Sequence, residues 1–236
     1  MSVLELRRYT LHPGQRDTLI ALFERHLLEP QEALGMAIAG TFRDLDAPDH
    51  FVWVRGFADM PARGDALPAF YRGPVWQARR DAANATMVDS DDVHLLRPLG
   101  PRDGFGALPP RAAVDAPARG GESLLTATVC RLLAPPDEAL ASAFERHVRP
   151  AWNDTDATLL AAFATEPAAN NFPALPVHGH RPVIAWFTRF PCAAAQARHA
   201  ARIAAEGVLD VTDFRARLVG APHTARLAPT HRSALR

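Results

Sequence analysis

The chain contains no lysine: all 26 of its basic residues are arginine. That excludes Schiff-base chemistry, and with it pyridoxal phosphate and lysine-aldolase mechanisms. It equally excludes a phosphate-binding P-loop, which depends on its lysine. The simplest source of arginine-only usage beside abundant alanine and proline is a GC-rich genome. Cysteine is nearly absent. Cys130 and Cys192 share no CxxC spacing, which argues against a zinc site or a redox dithiol. Cys130, inside Ala127-Thr-Val-Cys-Arg-Leu-Leu, reads as a buried, inert thiol. Charge of either sign is not in excess, since 26 acidic residues balance the arginines, and nothing points to nucleic acid or an acidic membrane. Long apolar runs are missing, as is a charged-then-apolar N-terminus. No membrane span or signal peptide is expected, and the expected location is the cytoplasm. There is no Gly-x-Ser-x-Gly, no Cys-His signature, no His-Glu-x-x-His and no glycine-rich nucleotide loop after the first strand.

What is present is a repeat. Phe23-Glu-Arg-His26 recurs as Phe144-Glu-Arg-His147, an offset of 121 residues, and each copy is followed by a proline, Pro30 and Pro150. An apolar strand with a central tryptophan, Phe51-Val-Trp53-Val-Arg55-Gly-Phe57, is answered by Ile184-Ala-Trp186-Phe-Thr188-Arg-Phe190 at offset 133. A third match, Arg97-Pro98 against Ala228-Pro229, has offset 131. Ordered matches at similar offsets mark two tandem copies of one unit. The step from 121 to 133 places about 12 extra residues between Phe163 and Trp186, in a loop at 166–182.

Periodicity gives the unit its order. Val3–Leu11 alternates as a strand, with Glu5, Arg7 and Tyr9 on one face and Leu4 and Leu6 on the other. Residues 15–28 carry a helical stripe of Leu19, Leu22, Phe23, His26 and Leu27. Strands at 37–43 and 50–57, a helix start at Asp59 before Pro61, a helix at 74–88 and a strand at 93–97 complete a β-α-β-β-α-β unit, the ferredoxin-like pattern. The second copy runs through strands at 124–133, 159–165 and 183–190, helices at 137–147 and 193–206, and closing segments at 215–219 and 224–227. The expected fold class is α+β: modules at 1–102 and 122–236, a Pro/Gly/Ala-rich linker at 103–121, and a barrel closed within the single chain by packing sheet on sheet.

Phe42-Arg-Asp-Leu-Asp-Ala-Pro-Asp-His-Phe-Val-Trp-Val-Arg-Gly-Phe57, Phe70-Tyr-Arg-Gly-Pro-Val-Trp76 and Arg80-Asp-Ala-Ala-Asn-Ala-Thr-Met-Val-Asp-Ser-Asp91 resemble the NIPSNAP family of the dimeric α/β-barrel superfamily. Asn170-Asn-Phe-Pro-Ala-Leu-Pro-Val177 resembles the long loop of its bacterial two-module members. Module two lacks the Gly-Pro-Val-Trp and Ala-Asn-Ala-Thr signatures, and Arg79 stands where family members often carry histidine. The resemblance implies the barrel. It leaves the reaction open, because the superfamily includes cofactor-free monooxygenases, isomerases, haem enzymes and non-catalytic members.

Candidate site residues follow. Arg7, Tyr9, Trp53 and Arg55 share a sheet face, expected to be the one turned away from the helices. They would hold an anionic or carbonyl-bearing aromatic molecule by stacking and charged hydrogen bonds. Tyr9, Arg55 and His26 are the candidate catalytic groups. Arg7, Trp53, Tyr71, Trp76, Arg80, Asn84, Trp186, Asn171 and Phe172 are the candidate ligand contacts. The competing reading makes Arg7 and Arg55 an internal ion-pair network with Glu5, Asp81 or Asp89. His26 and His147 occupy equivalent stripe positions, where a hydrogen-bonded histidine near a helix end is the plainer role. No metal is expected, because His178-Gly-His180 has no neighbouring carboxylate in sequence. The functional expectation is a small aromatic or lipid-like metabolite bound or transformed in the barrel cavity without a nucleotide cofactor. If catalytic, the chemistry would be of monooxygenase, isomerase or lyase type. The alternatives are a protein-interaction module and, as a minor case, a haem protein with His26, His147, His178 or His180 as axial ligand. A homodimer of the whole chain is a further expectation.

Overall fold

The computed structural model describes residues 1–116, 123–153 and 155–236. Module one comprises β1 (Val3–Leu11), α1 (Arg16–His26), α2 (Leu28–Glu32), β2 (Ala37–Asp44), β3 (His50–Phe57), α3 (Met60–Tyr71), α4 (Pro74–Asn84) and β4 (Met87–Pro98). Module two comprises β5 (Leu124–Arg131), α5 (Glu138–Ala143), β6 (Thr158–Thr165), β7 (Val183–Phe190), α6 (Ala193–Ala205), α7 (Thr212–Arg215) and β8 (His223–Pro229). The strands close into one barrel in the order β1-β3-β2-β8-β5-β7-β6-β4. Within each module the first and third strands are central. The modules join edge to edge, β2 on β8 and β4 on β6, all antiparallel. Closure removes the free edges that two open four-stranded sheets would expose. Among the described residues no helix is long and apolar enough to cross a membrane.

The two faces of each sheet have different occupants. Leu4, Leu6, Val52, Val54, Phe163 and Phe187 pack together inside the barrel. Val3, Tyr9, Leu11, Phe51, Trp53 and Phe57 pack outward against Leu19, Ile20 and Phe23 of α1 and Leu67 and Phe70 of α3. The face carrying Arg7, Tyr9, Trp53 and Arg55 is therefore the one beneath the helices, not the one turned away from them. An eight-stranded barrel is either filled by its own side chains or left with room for one small ligand, and here the side chains fill it. Aliphatic residues with Phe42, Phe163 and Phe187 fill that lumen, and the tryptophan, tyrosine and guanidinium groups take the deeper space between sheet and helix. The expectation of a ligand cavity in the barrel centre is thereby corrected: the centre is packed.

The linker is tied to both modules. Phe105 packs at 5.2 Å against both Phe163, tilted, and Phe187, edge-on. Arg111 donates to the carbonyls of Ile38 and Arg232. Residues 117–121 of the linker lie outside the described residues. The loop between β6 and β7 spans 166–182, where its counterpart between β2 and β3 spans only 45–49. The strand β4 begins at Met87, earlier than the sequence indicates. It pairs with β1 through shifts in register between Arg8 and Leu11, so Asp89-Ser-Asp-Asp92 lies within a bulged strand.

The repeated Phe-Glu-Arg-His has a shared and an unshared part. Phe23 and Phe144 are both buried and both sit on the central tryptophan of their module, at 4.8 Å from Trp53 and 5.6 Å from Trp186. The first copy ends a regular helix. The second is a π-helical turn, Phe144–Val148, followed by a 3-10 turn, Arg149–Trp152, that brings Trp152 onto Trp186. His26 and His147 are half-buried at these helix ends.

Candidate functional site

Under the helices of module one lies a buried ion cluster. Glu5, Arg7, Arg55 and Arg63 are all 0% exposed. Arg55 Nε and Arg7 Nη1 donate to Glu5 Oε2, each at 2.8 Å, and Arg63 Nε donates to Oε1 at 2.8 Å. Arg55 Nη2 is 2.7 Å from Glu5 Oε2 at an angle too poor for a second hydrogen bond, so that contact is Coulombic. Burial alone would push the Glu5 carboxyl up; Arg55, Arg7 and Arg63 outweigh it and hold it at about 2. Burial disfavours the charged form of Arg7 as well, but Tyr9 and Glu5 more than offset this and raise its affinity for the proton. Burial, against the pull of Glu5, leaves Arg63 below the ordinary arginine value.

Neutral groups complete the cluster. Arg7 Nε donates to Tyr9 Oη at 3.1 Å, and Arg55 Nη1 to Gln31 Oε1 at 3.1 Å and Tyr71 Oη at 3.4 Å. The guanidinium of Arg55 lies 5.1 Å from the centre of the Trp53 ring. The long loop of module two closes the cluster from above. Asn170 and Asn171 accept from Arg63 Nη1 at 3.0 and 2.6 Å, Asn171 Nδ2 donates to the Met60 carbonyl at 2.6 Å, and Phe172 stacks 5.9 Å from Tyr71. Leu175 and Val177 of the loop pack on the same core.

Arg7, Tyr9, Trp53, Arg55, Tyr71, Asn171 and Phe172 therefore do meet, around Glu5, as a packed network. Arg63 and Gln31, missed in the sequence, belong to it. Trp76 packs on Tyr71 at 5.0 Å at its margin. Arg80 and Asn84 do not take part: both are exposed, and Arg80 pairs with Asp81 on the surface. Asp81 and Asp89 are likewise exposed, which leaves Glu5 as the acid of the network. His26 stands apart at the end of α1. Burial, then Arg79 and Arg25, lower its pKa.

Module two has the same sheet with different contents. In module one Glu5 faces Arg55 and Arg7 faces Trp53 across the β1–β3 ladder. In module two the same ladder positions hold Thr126 opposite Thr188 and Thr128 opposite Trp186. Threonines in place of arginines and a glutamate leave space, and a cavity of about 640 Å³ opens between the sheet and α6. Its walls are Trp152, Trp186 and Phe190, with Ile203 and Leu209, and its polar groups include Gln196 and His199 of α6. Asp46 and Arg226, an ion pair at 2.6 Å between the two modules, stand at its rim. Trp152 Nε1 donates to Thr188 Oγ1 at 3.1 Å, and the Thr128 and Thr224 hydroxyls lie 2.9 Å apart. His199 is held at a tilt between Trp152 at 5.4 Å and Phe190 at 5.5 Å. Its Nδ1 is buried without a partner among the described residues, and burial, with Arg202 adding, lowers its pKa. Of the side chains singled out in the sequence, Trp186 alone lines this cavity.

Residues 4–100 match the family model of NIPSNAP. No curated protein sequence matches the chain. Among solved structures, a candidate monooxygenase from Lactobacillus acidophilus superposes with a TM-score of 0.57 at 10% identity, covering 97% of this chain and 94% of the other. A second candidate monooxygenase, from Fusobacterium nucleatum, gives 0.57 at 9% identity over 96% and 91% of the two chains. An anthrone oxidase-like protein gives 0.56 at 13% identity over 98% and 92%. At these identities the likeness is one of fold, and it extends over both modules. The matched segment runs from the first strand of module one to just past its fourth, so the similarity to NIPSNAP lies in module one, and the second module completes the barrel.

Proposed function

We propose that this protein binds a small aromatic or lipid-like molecule, without a nucleotide cofactor, in the cavity between the module-two sheet and α6. The observation that carries this reading is the replacement of the Glu5–Arg55 pair by Thr126 and Thr188, which leaves about 640 Å³ open beside three aromatic rings. That volume and its mixture of aromatic wall and sparse polar groups suit a ligand of one to three fused rings. Trp152, Trp186 and Phe190 offer edge and face contacts, and Gln196 and His199 can orient a hydroxyl or carbonyl. Chemistry at this site is proton transfer: His199, with an unpartnered Nδ1 and a pKa lowered by burial, accepts a proton from an acidic ligand O–H or C–H. Cofactor-independent oxygenation or isomerisation of an aromatic substrate begins with such a step. The descriptions of the structural neighbours agree with it, while their low identity supports the fold alone. A docking role for the 166–182 loop is less well supported, because its Phe172, Leu175 and Val177 turn inward onto module one.

Titration with a naphthol, followed by tryptophan fluorescence and thermal unfolding, tests the proposal. Saturable quenching and a raised melting temperature are expected in the wild type. Affinity should fall by about tenfold in Trp186→Ala, the equivalent of one lost aromatic contact. Quenching that is unchanged in both Trp186→Ala and His199→Ala would reject the site.

A further inference from the structure

The end of the barrel away from Phe105 holds a second group of chemically capable residues, separate from the module-two cavity. Asp92 and His94 are two apart on β4 and so project from the same face, the face that β1 continues with Leu6 opposite His94 and Arg8 opposite Asp92. His178 is delivered by the 166–182 loop, whose backbone is fixed there by the His178 amide donating to the Val93 carbonyl at 2.8 Å. His178 Nε2 lies 2.8 Å from Asp92 Oδ1, and the His94 and His178 rings are 5.0 Å apart. One ligand atom from each of Asp92, His94 and His178 lies within 4.8 Å of the other two, and all three residues are half-buried. Beside them a pocket of about 210 Å³ enters the barrel mouth over Leu6, Val52 and Val129.

We propose that Asp92, His94 and His178 form a binding site for a divalent transition-metal ion. Two imidazoles and one carboxylate, with coordination positions left open towards a pocket, suit ferrous iron, cobalt or zinc. The three donors would draw together onto one ion from their present spread within 4.8 Å, while β4 and the bonded loop hold the backbones. Arg8, Arg131 and Arg181 also line the pocket, and their charge bears on the choice of ligands. Arg8 is shared between Asp44 at 3.7 Å and Asp92 at 3.9 Å. The remaining positive charge favours an anion, such as a carboxylate, in the open positions of the metal. The apolar floor would accept the short hydrocarbon part of that anion. The His-Gly-His motif contributes one ligand: His180 is exposed and lies outside the group.

Cobalt(II) titration of the full chain without a histidine tag tests this directly. One equivalent should bind at micromolar protein, with visible ligand-field absorption. His94→Ala and His178→Ala should each weaken binding by about 100-fold or more, at least the loss known for outer-shell partners of metal ligands. His180→Ala should leave both the affinity and the spectrum unchanged. His178 sits on a loop, so its variant keeps the test valid if His94→Ala fails to fold, which thermal unfolding will show. Absence of a ligand-field spectrum, or a spectrum that survives His178→Ala, would overturn the assignment.

Discussion

Two helix-covered sheets of one repeated pattern have different contents in this molecule. In module one the space under the helices is filled by Glu5, Arg7, Arg55 and Arg63, with Tyr9, Trp53 and Gln31 around them. In module two the corresponding strands carry Thr126, Thr128 and Thr188, and the space is a cavity of about 640 Å³. Three buried guanidinium groups on one carboxylate are costly to desolvate, and such networks seldom add stability over an apolar core. Here the network also fixes something: it receives Asn170 and Asn171 of the other module and so pins the loop that brings His178 to Asp92. The comparison teaches that, in a pseudo-symmetric fold, small side chains at a few matched positions leave a cavity where the other copy's large ones fill the space.

The contrast can be broken most severely at Glu5. Glu5→Ala leaves three buried arginines without their shared acid, and a loss of about 3–5 kcal/mol is expected in urea unfolding. Thr126→Ala, at the matching place, should cost about 1 kcal/mol or less. Equal losses would mean that the two modules are stabilised alike.

Acid provides the next largest effect. The folded Glu5 carboxyl, at about 2, lies below its ordinary value of 4.5. Its contribution is therefore complete above pH 4.5 and is lost as the pH falls from there towards 2. The shift corresponds to a loss on the order of 3 kcal/mol. Denaturation midpoints measured across that range should fall more steeply in the wild type than in a Glu5→Gln variant that folds.

A smaller effect is expected where the modules touch. Asn171→Ala removes hydrogen bonds to Arg63 and to the Met60 carbonyl and should cost about 1 kcal/mol. The cost should appear as faster hydrogen exchange over 166–182, with naphthol binding in module two unaltered. Altered naphthol binding with exchange over 166–182 unchanged would contradict the placement of this loop over module one.

Much of this was legible in the sequence, and the misreadings have physical causes. The offsets of 121 and 133 gave the two modules and the long β6–β7 loop, because helix stripes and a central tryptophan must repeat when a fold repeats. Alternation showed that Arg7, Tyr9, Trp53 and Arg55 share a face, but a period of two is blind to which face meets the helices. Side-chain size decides it: Leu4, Leu6, Val52 and Val54 fit the barrel, and a tryptophan with two arginines does not. The cavity was missed because threonine carries no chemical signal. Reading the copies position by position, Glu5 against Thr126 and Arg55 against Thr188, would have exposed the loss of volume. Asp92 and His94 could be paired from their spacing, but His178 reaches them only through the fold.

The most direct test transplants the module-one pair into module two. Thr126→Glu with Thr188→Arg should fold, rebuild the ion pair across β5 and β7, and abolish naphthol binding measured by calorimetry. Binding of naphthol to that double variant with wild-type affinity would contradict the account.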